Sequence, residues 1–569
     1  MSKSLFVFTL ASVQPFISQA RRLGDLVAGS RLMSDLAGAA ARGIQSIGGE
    51  LIYPPPASLA DDTVDGGTPN TLVAQVPAGS EREAGKAAQV FLEQKANQWA
   101  DRARNELARL GPNLDKVWQA IWERQLGALW ETYWAAAPLA KRDYAEVYQE
   151  TRKALGACKR TRVFSQVEET GPKDTFGGTR AALRTADRDA RAYWAAVAKN
   201  TTAAQLKPDG RERLDAAGAL KRFGGLADRI PSTSTVAAAG FLARTREGNQ
   251  LAPYRQVLEA LLGRHLYRVA KDPDWPYDGD LLYEETLAAA RLRASYGVEQ
   301  VDAGRLSAAV DALRAIYRRV GPPSLYYALI VLDGDGMGQR VEECSNPEEH
   351  RALSEKVSWF ARSAKDVVKK VGDGARLVYA GGDDVLALAP LATALPLAWE
   401  LAKAFTEKVG AGATASAGVA MAHHLYPLDA TLRAAREAEA MAKRVEGKNA
   451  VGVAVLKRSG ERLEMASPWA PVRKDWDELR GRLERGELAS GFVGDATDVD
   501  LLLTISGALE ADLRRLLRRH SKLEDKDRGD RLDLAPRLAY WAAELEARRA
   551  GSLKPWIELA RFVAKGGTM

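Results

Sequence analysis

Two neighbouring carboxylates follow a glycine pair where a tight hairpin is expected. Residues 376–388 form two β-type apolar runs around Gly381 and Gly382, and Asp383 and Asp384 come directly after the glycines. Paired glycines supply the backbone freedom that a tight turn needs. Adjacent carboxylates repel each other unless a cation lies with them. The segment therefore predicts a hairpin whose tip binds a divalent metal.

A third carboxylate is expected at the same place. The upstream apolar run, residues 327–332, ends in Asp333 and Gly334. Mg²⁺ takes a few carboxylates and leaves its other positions to water and substrate phosphates. We predict that Asp333, Asp383 and Asp384 hold two Mg²⁺ or Mn²⁺ ions and catalyse nucleotide transfer, a reaction that needs no His or Cys nucleophile.

Composition places the chain among ordinary multidomain proteins. Its 569 residues exceed one hydrophobic core and predict three or four domains. A net charge of +7 and a pI near 9.1 are compatible with a polyanionic partner without requiring one. Two cysteines exclude a disulfide scaffold and a four-thiolate zinc site, and they favour a reducing cytoplasm. The apolar start, residues 5–11, is better explained as a strand than as a signal peptide.

The elements that carry the carboxylates recur near the N-terminus. Residues 4–53 and 325–380 each predict strand, helix and strand, and the two strands start 46 residues apart in one copy (Leu5 to Leu51) and 50 in the other (Tyr327 to Leu377). A further strand follows each copy, over residues 70–76 and 385–389. The pattern predicts two related α/β domains with antiparallel sheets.

The first copy is blank where the second is acidic. Residues 9–11 (Thr, Leu, Ala) stand in place of Asp333, and residues 54–57 (Pro, Pro, Pro, Ala) stand in place of residues 381–384. The first copy is therefore expected to hold no metal. Whether it receives a second nucleotide or serves only as scaffold stays open, because a fold alone does not imply a function.

Two further segments of the second copy suggest nucleotide contacts. Residues 413–420 predict a strand of small residues, Ser416 among them, along which a nucleotide could approach the backbone. A helix is expected over residues 428–445, followed by a basic cluster of Lys443, Arg444 and Lys448. The cluster either complements the helix dipole or binds a triphosphate, and Lys448 is the better phosphate candidate.

Outside the two copies the chain is expected to be mainly helical. Four tryptophans recur near helical spacing and predict core packing rather than base stacking: Trp118, Trp122, Trp130 and Trp134. Residues 200–212 predict a loop. Residues 513–520 give a helix with a basic face, for which a solvated surface is favoured over an RNA contact.

The ordered series of motifs resembles the palm shared by polymerases and diguanylate cyclases. More narrowly, it resembles the large subunit of type III-B CRISPR–Cas effector complexes. That narrower resemblance spans residues 5 to about 460 and includes, besides the acidic motifs, these segments: 14–21 (QPFISQAR), 25–30 (DLVAGS), 69–70 (PN), 212–214 (ERL), 231–235 (PSTST) and 457–460 (KRSG).

The resemblance implies an α+β multidomain fold of two ferredoxin-like palm domains plus two mainly helical domains. The implied boundaries are a first palm-like domain over 1–145, a helical middle domain over 146–320, a second palm domain over 321–462 and a C-terminal helical domain over 463–569. We use "first palm domain" and "second palm domain" for these segments below.

The resemblance also implies an activity. In this family, target-RNA binding by the assembled complex switches on the synthesis of cyclic oligoadenylates from ATP. The implied partners are the other effector subunits, the guide RNA and the target RNA, in the cytoplasm. Nucleotide contacts are implied at Gly334, Gly381, Gly382, Ser416 and Lys448. A non-catalytic nucleotide-binding scaffold remains an alternative. A diguanylate cyclase is disfavoured because Val385 stands where Phe is usual.

Two departures from the family pattern lead to expected absences. No histidine of the chain is followed by Asp, and the sequence starts at the first palm domain, so no His-Asp nuclease domain is expected. The stretch that corresponds to the family's zinc site, residues 168–178, contains no cysteine. The sequence therefore predicts no zinc.

Overall fold

A computed structural model describes residues 2–11, 13–59, 67–140, 142–161, 169–225, 230–270, 272–496, 502, 507–522 and 532–567. Two sheets organise the chain, one in each predicted palm domain, and helices fill the segments between and after them. The predicted α+β class is confirmed.

The first sheet has four strands in the order β2-β3-β1-β4, with β1 buried at its centre. β1 pairs antiparallel with both neighbours, placing Leu5 opposite Gln75 on one side and Ala137 on the other. Helix α2 packs on this sheet and against the long helix α3. The strands are β1 Lys3–Ala11, β2 Glu50–Tyr53, β3 Thr71–Pro77 and β4 Glu131–Pro138; the helices are α1 Val13–Ser18, α2 Leu23–Ser46, α3 Glu81–Leu110, α4 Lys116–Gly127 and α5 Tyr144–Arg160.

Strand β4 corrects the prediction for the tryptophans. Trp118 and Trp122 do stack within a helix, with ring centroids 5.0 Å apart. Trp134 instead lies on β4 and is 36% exposed, and Trp130 lies just before that strand against Phe16. A spacing of four residues suits one face of a strand as well as one face of a helix, so the periodicity alone does not separate the two.

The second sheet has six strands in the order β10-β9-β8-β5-β7-β6. β5 lies between β7 and β8 and runs antiparallel to both, whereas β8 and β9 are parallel and are joined by helix α16. The strands are β5 Tyr326–Gly334, β6 Arg376–Gly381, β7 Asp384–Pro390, β8 Ala415–His423, β9 Ala450–Leu456 and β10 Arg462–Pro468; the helices are α13 Met337–Glu342, α14 Pro347–Val371, α15 Ala394–Val409 and α16 Leu428–Ala442.

The described part of the segment between the sheets is mainly helical. Its helices are α6 Ala190–Ala198, α7 Ala216–Phe223, α8 Thr233–Ala237, α9 Ala239–Thr245, α10 Ala252–Leu262, α11 Ala289–Tyr296 and α12 Ala303–Val320. The predicted loop over 200–212 contains one 3₁₀ turn, Pro208–Gly210. Residue 168 of the zinc-equivalent segment lies outside the described residues. Beyond it, Glu169 accepts hydrogen bonds from Gln125 Nε2 at 2.8 Å and from the Ala181 N–H at 2.7 Å.

A buried ion network joins this middle segment to the first palm domain. Arg222 lies 2.7 Å from Asp25, and both side chains are almost wholly buried. Glu212 pairs with Arg22 at 2.5 Å. Although burial acts to raise the pKa of Glu212, Arg22 and Arg222 lower it to about 2. Removing one partner of such a network would leave a buried charge uncompensated, so the two segments are held in one arrangement.

The C-terminal segment is also helical where it is described. Its helices are α17 Trp469–Pro471, α18 Asp477–Glu484, α19 Gly491–Asp495, α20 Ala508–His520, α21 Leu534–Ala547 and α22 Lys554–Ala564. Helix α20 buries Leu509, Leu513, Leu516 and Leu517, while its arginines face outward beside nearby acids such as Glu510 and Asp512. This arrangement agrees with a solvated basic face. Among the described helices, none combines the length and apolar character that crossing a bilayer requires.

Candidate active site at an acidic hairpin

The predicted hairpin forms at the edge where β5 ends. Gly381 pairs with Asp384, and a two-residue turn of Gly382 and Asp383 joins β6 to β7. Gly382 has a φ of +66°, a conformation that glycine adopts without strain. Because Leu332 of β5 pairs with Val385 of β7, the strand geometry brings Asp333 beside the hairpin acids. The structure therefore gathers the three predicted carboxylates at one edge of the sheet.

The three glycines of these motifs, Gly334, Gly381 and Gly382, leave space that neighbouring protein atoms fill. A Cβ at Gly334 would lie 3.1 Å from the Asp383 Cβ and 2.6 Å from Phe405. A Cβ at Gly381 would meet the Tyr379 hydroxyl at 2.1 Å. All three glycines are buried. The space that their side chains would need is filled by protein, so a nucleotide contact there is limited to the backbone.

Lys443 places a positive charge inside the acidic site. Its ammonium group donates to Asp333 Oδ2 and also lies 2.7 Å from Glu439 Oε1. Burial lowers the pKa of Lys443, and the nearby charge of Lys448 lowers it further. Lys443, at the end of α16, therefore places its positive charge beside Asp333 at the end of β5.

Glu439 is a fourth carboxylate, which the sequence reasoning missed. Burial and then the charge of Asp384 raise the pKa of Glu439 to about 7. With Arg436 and Lys443 it occupies positions i, i+3 and i+7, which share one face of α16. That polar spacing in an alanine-rich helix is a signal in the sequence, but only the fold shows that this face meets the hairpin.

The two hairpin acids differ in exposure, Asp383 being half-buried and Asp384 exposed. Asp384 itself remains open to solvent, while surrounding protein atoms raise its pKa and the Arg436 guanidinium acts in the opposite direction. Burial and the neighbouring Asp384 raise the pKa of Asp383. A cluster of acids with raised pKa values is destabilised when it is charged, and a bound cation would relieve this destabilisation.

The residues present fit a hard divalent cation. The donors are carboxylate oxygens, which Mg²⁺ and Mn²⁺ prefer, and the Lys443 ammonium already stands against Asp333 as a cation would. In the described part of the chain, these acids do not form a trio of ligand atoms that all lie within 4.8 Å of one another. Binding of a metal would therefore require Lys443 to leave Asp333 and the acids to draw together.

Asp335 is a positioning residue that the sequence reasoning did not single out. It is buried and accepts hydrogen bonds from Thr414 Oγ1 at 2.9 Å, Ser416 Oγ at 2.9 Å and the Asn449 N–H at 3.0 Å. These bonds tie the end of β5 to the start of β8 and to the loop that carries Lys448. Lys448 itself is exposed, with a φ of +51°.

Strand β8 has packing roles where the sequence suggested nucleotide contacts. Ser416 is fully buried and donates to Asp335, so its hydroxyl is not available to a nucleotide. The small residues of the strand admit helix α16 instead of a ligand. A Cβ at Gly418 would lie 2.0 Å from the Ala435 carbonyl oxygen, and one at Gly452 would lie 1.9 Å from that of Ala438.

The first palm domain covers the hairpin. A Cβ added to Gly382 would lie 2.1 Å from the Tyr53 hydroxyl, so Tyr53 packs directly on the turn. The Gly67 N–H also donates to the Ala380 carbonyl at 2.5 Å. Burial and then Asp383 raise the pKa of Tyr53 far above its usual value. The first copy, which lacks the acids, thus contacts the acidic hairpin of the second directly.

A cavity of about 1120 Å³ opens beside this interface. Its walls include Ser18–Gly24, Ser232–Ser234 and His424–Ala430, so three segments from distant parts of the sequence meet there. Arg433 of α16 lines the cavity, and Arg436, one turn further, contacts Gln14 and lies near Asp384. Helix α16 therefore presents one arginine to the cavity and another to the acidic site.

The sheet order, the acidic hairpin and the strand-end carboxylate together define a palm-type domain of the polymerase and cyclase class. Two family models match the chain: "CRISPR-associated protein Cmr2, N-terminal" over residues 5–109 and "Cas10/Cmr2, second palm domain" over residues 326–452. Residues 5–109 are thus similar to the N-terminal part of Cmr2, and residues 326–452 to the second palm domain of Cas10/Cmr2. The resemblance to the large subunit of type III-B effector complexes is confirmed.

Individual relatives agree with this assignment. The CRISPR system Cmr subunit Cmr2 of Pyrococcus furiosus is 28% identical over 319 residues, which cover 48% of this chain and 36% of that protein. The match thus spans little more than a third of the relative's length. Two type III-B Cmr-beta cryo-EM structures share the fold, one in the apo state (TM-score 0.64, 14% identity, 92% of this chain and 78% of that chain) and one bound to cognate target RNA (0.65, 13%, 92% and 79%).

Proposed function

We propose that this chain is the large subunit of a type III-B effector complex and that it makes cyclic oligoadenylates from ATP when the complex binds target RNA. The observation that carries the proposal is the convergence of Asp333, Asp383, Asp384 and Glu439 at one edge of a palm sheet, where the Lys443 ammonium contacts Asp333 and Glu439. The named relatives support the assignment to such a complex, and its partners are then the other subunits, the guide RNA and the target RNA.

The metal site of the proposal consists of Asp333, Asp383 and Asp384, with Glu439 beside them. When bound there, Mg²⁺ or Mn²⁺ supplies neutralisation of phosphate charge and lowers the pKa of the attacking hydroxyl. Asp333 lies on β5, Asp383 and Asp384 on the β6–β7 hairpin, and Glu439 on the packed helix α16. Once the metal has drawn these acids together, alignment of the reactants supplies most of the rate enhancement.

The donor ATP is assigned to the second palm domain. Lys443 and Lys448 lie on the side of the site where β9 begins, and their ammonium groups are close enough for the charge of Lys448 to lower the pKa of Lys443. Two lysines that repel each other in this way would gain from a triphosphate between them. The Asp335 hydrogen bonds hold the loop that presents Lys448.

The acceptor ATP is assigned to the cavity at the first palm domain. Arg433 lines that cavity and Arg436, one turn further along α16, lies near Asp384, so in this proposal the two arginines contact the acceptor's phosphates. A 3′-oxygen at the acidic edge then bonds to the donor α-phosphorus, and the bond to pyrophosphate breaks. The first copy serves in this proposal as a nucleotide platform, not as scaffold alone.

The test uses the assembled complex with target RNA, ATP and Mg²⁺, followed by chromatography of the products. Asp383→Asn combined with Asp384→Asn should reduce oligoadenylate synthesis by more than 1000-fold, because the neutral amides cannot hold the metal, and complex assembly should be unaffected. Asp366→Asn, an exposed carboxylate on α14, is the matched control and should retain full activity. Near-normal synthesis by the double variant would refute the proposed metal site.

A further inference from the structure

Three potential metal ligands lie together at the other end of the second sheet. One ring nitrogen each of His423 and His424 and one oxygen of Glu285 lie within 4.8 Å of one another, a grouping found nowhere else among the described residues. Tyr326 pairs with His423 at this end of β5, and Gly334 pairs with Ala415 at the acidic end. Eight steps along a strand span roughly 26 Å, so the cluster is distinct from the palm carboxylates.

The surroundings of His424 hold its ring in one orientation. Its Nδ1 lies 2.8 Å from Ser234 Oγ, and its ring stacks on Tyr283 with centroids 3.9 Å apart. Its Nε2 then faces Glu285 Oε1 at 3.2 Å. A partner on the second ring nitrogen is the usual support of a metal-ligating histidine, because it fixes the ring and its tautomer. Ligands at the usual zinc distances lie about 3.4 Å from each other in a tetrahedral site.

Glu285 is oriented by two arginines on its other oxygen. Arg458 lies 3.6 Å and Arg291 3.9 Å from Oε2, while Oε1 is the atom that faces His424. The charges that act on the cluster therefore come from these arginines and from Glu285 itself. Outer partners of this kind hold a ligating carboxylate in place without occupying the oxygen that binds the metal.

His423 supplies an independent observation. It is 3% exposed, and its Nε2 has no hydrogen-bond partner among the described residues. Buried polar atoms without a partner are rare and need an explanation. Its Nδ1 accepts only a long bond, 3.3 Å, from the Leu425 N–H.

We propose that Glu285, His423 and His424 bind one Zn²⁺, which ties the middle segment to the far end of the second palm sheet. Two imidazoles and one carboxylate are a donor set that zinc accepts, with a fourth position left for water. Of the three ligands, His424 also lines the 1120 Å³ cavity. Binding through His423 Nε2 moves the ring proton to Nδ1 and gives up the long bond from Leu425.

This site differs from the zinc site that the sequence analysis considered. The prediction of no zinc was based on the absence of cysteines, and the histidines were judged only as possible His-Asp pairs. Glu285 lies 138 residues before His423 in the chain, so no local sequence motif predicts the cluster. The proposal does not depend on the proposed cyclase activity.

The test measures metal content in the full-length chain after equilibration with Zn²⁺ and removal of free ions. We expect one zinc per chain in the wild type, and less than a tenth of that in His424→Gln and in Glu285→Gln. His350→Gln is the matched control, since His350 is equally buried and bonds to Tyr144 far from the cluster. It should retain one zinc per chain. Retention of zinc by both cluster variants would overturn the proposal.

A second measurement needs no variant. Zn²⁺ should raise the Tm of the wild-type chain, because an ion that binds only the folded state stabilises it. Co²⁺ in its place should give the visible absorption of a tetrahedral nitrogen and oxygen site. If the wild-type chain takes up no zinc, shows no shift in Tm and gives no such Co²⁺ spectrum, then His424 Nε2 donates directly to Glu285 and the proposal is wrong.

Discussion

The Lys443 ammonium donates to Asp333, so the strand-end carboxylate of the acidic site is already paired with a cation from the same domain. Lys443 also contacts Glu439 at 2.7 Å. In the proposed reaction the same lysine faces the donor triphosphate. Entry of a divalent metal would therefore displace Lys443 from Asp333 and make it available to phosphate.

The first prediction concerns that displacement. Lys443→Met should bind Mn²⁺ about tenfold more tightly than the wild type in the absence of nucleotide, equivalent to about 1.4 kcal/mol, because no ammonium competes for Asp333. The KM for ATP of the assembled complex should rise in the same variant, since a phosphate contact is lost. Mn²⁺ binding can be followed by electron paramagnetic resonance. Lys369→Met, at an exposed site on α14, serves as control, and weaker Mn²⁺ binding by Lys443→Met would contradict the displacement.

The second prediction concerns pH. The pKa of Glu439 is raised to about 7, and those of Asp383 and Asp384 are also raised. Below pH 6 these groups hold protons that a metal must displace, and above pH 8 they are ionised. The Mn²⁺ affinity of the nucleotide-free chain should therefore increase between pH 6 and pH 8.

Glu439→Gln separates the contribution of that residue. It should flatten the pH dependence of Mn²⁺ affinity, whereas Glu437→Gln, on the exposed face of the same helix, should leave it unchanged. An affinity that is constant across this pH range in the wild type would show that the acids are already ionised.

The third prediction concerns the packing of α16. Gly418→Ala should destabilise the fold by about 1–3 kcal/mol, because the added methyl group would lie 2.0 Å from the Ala435 carbonyl oxygen. Gly127→Ala, whose added Cβ meets no atom within 4 Å, should change the Tm little. Denaturant unfolding of the two variants provides the comparison, and equal stability would show that α16 can move away without cost.

The fourth prediction concerns RNA. Three arginines of α20 are paired with acids: Arg514 lies 2.7 Å from Glu510, Arg515 2.7 Å from Asp512, and Arg519 3.3 Å from Asp495 of α19. This pairing reduces the positive charge that the helix can offer to phosphates. The isolated chain should bind RNA weakly, and this binding should fall as salt rises. Tight, guide-dependent binding should appear only when the other subunits are added. Fluorescence anisotropy at two salt concentrations tests this, and nanomolar, sequence-specific binding that ignores salt would contradict it.

Much of the second palm domain could be predicted because its signals are local. Alternation of apolar residues and a glycine pair define the hairpin of Asp383 and Asp384, and the strand, helix and strand order recurs at nearly equal spacing in the first domain. Strand β4 was missed because four-residue spacing of tryptophans fits strands and helices alike. The domain boundaries remain a prediction.

The contributions of Glu439, Tyr53 and Glu285 could not be predicted, because each depends on which faces of distant elements meet. The small residues of β8 were correctly taken to signal a close approach, but the approaching group is the backbone of α16. The small residues of β8 indicate that another group approaches the strand closely, but they do not indicate whether that group is a ligand or a helix. Ser416 was assigned to the nucleotide on the same pattern, whereas it supports Asp335.

The contact between Tyr53 and the glycine turn has a mechanical consequence. The Tyr53 hydroxyl lies against the turn of the acidic hairpin, and the Gly67 N–H donates to Ala380 on β6, the strand that leads into that turn. A small rotation of the N-terminal domain would therefore shift Asp383 directly, without passing through the hydrophobic core. The distances between the carboxylates therefore depend on the angle between the two domains.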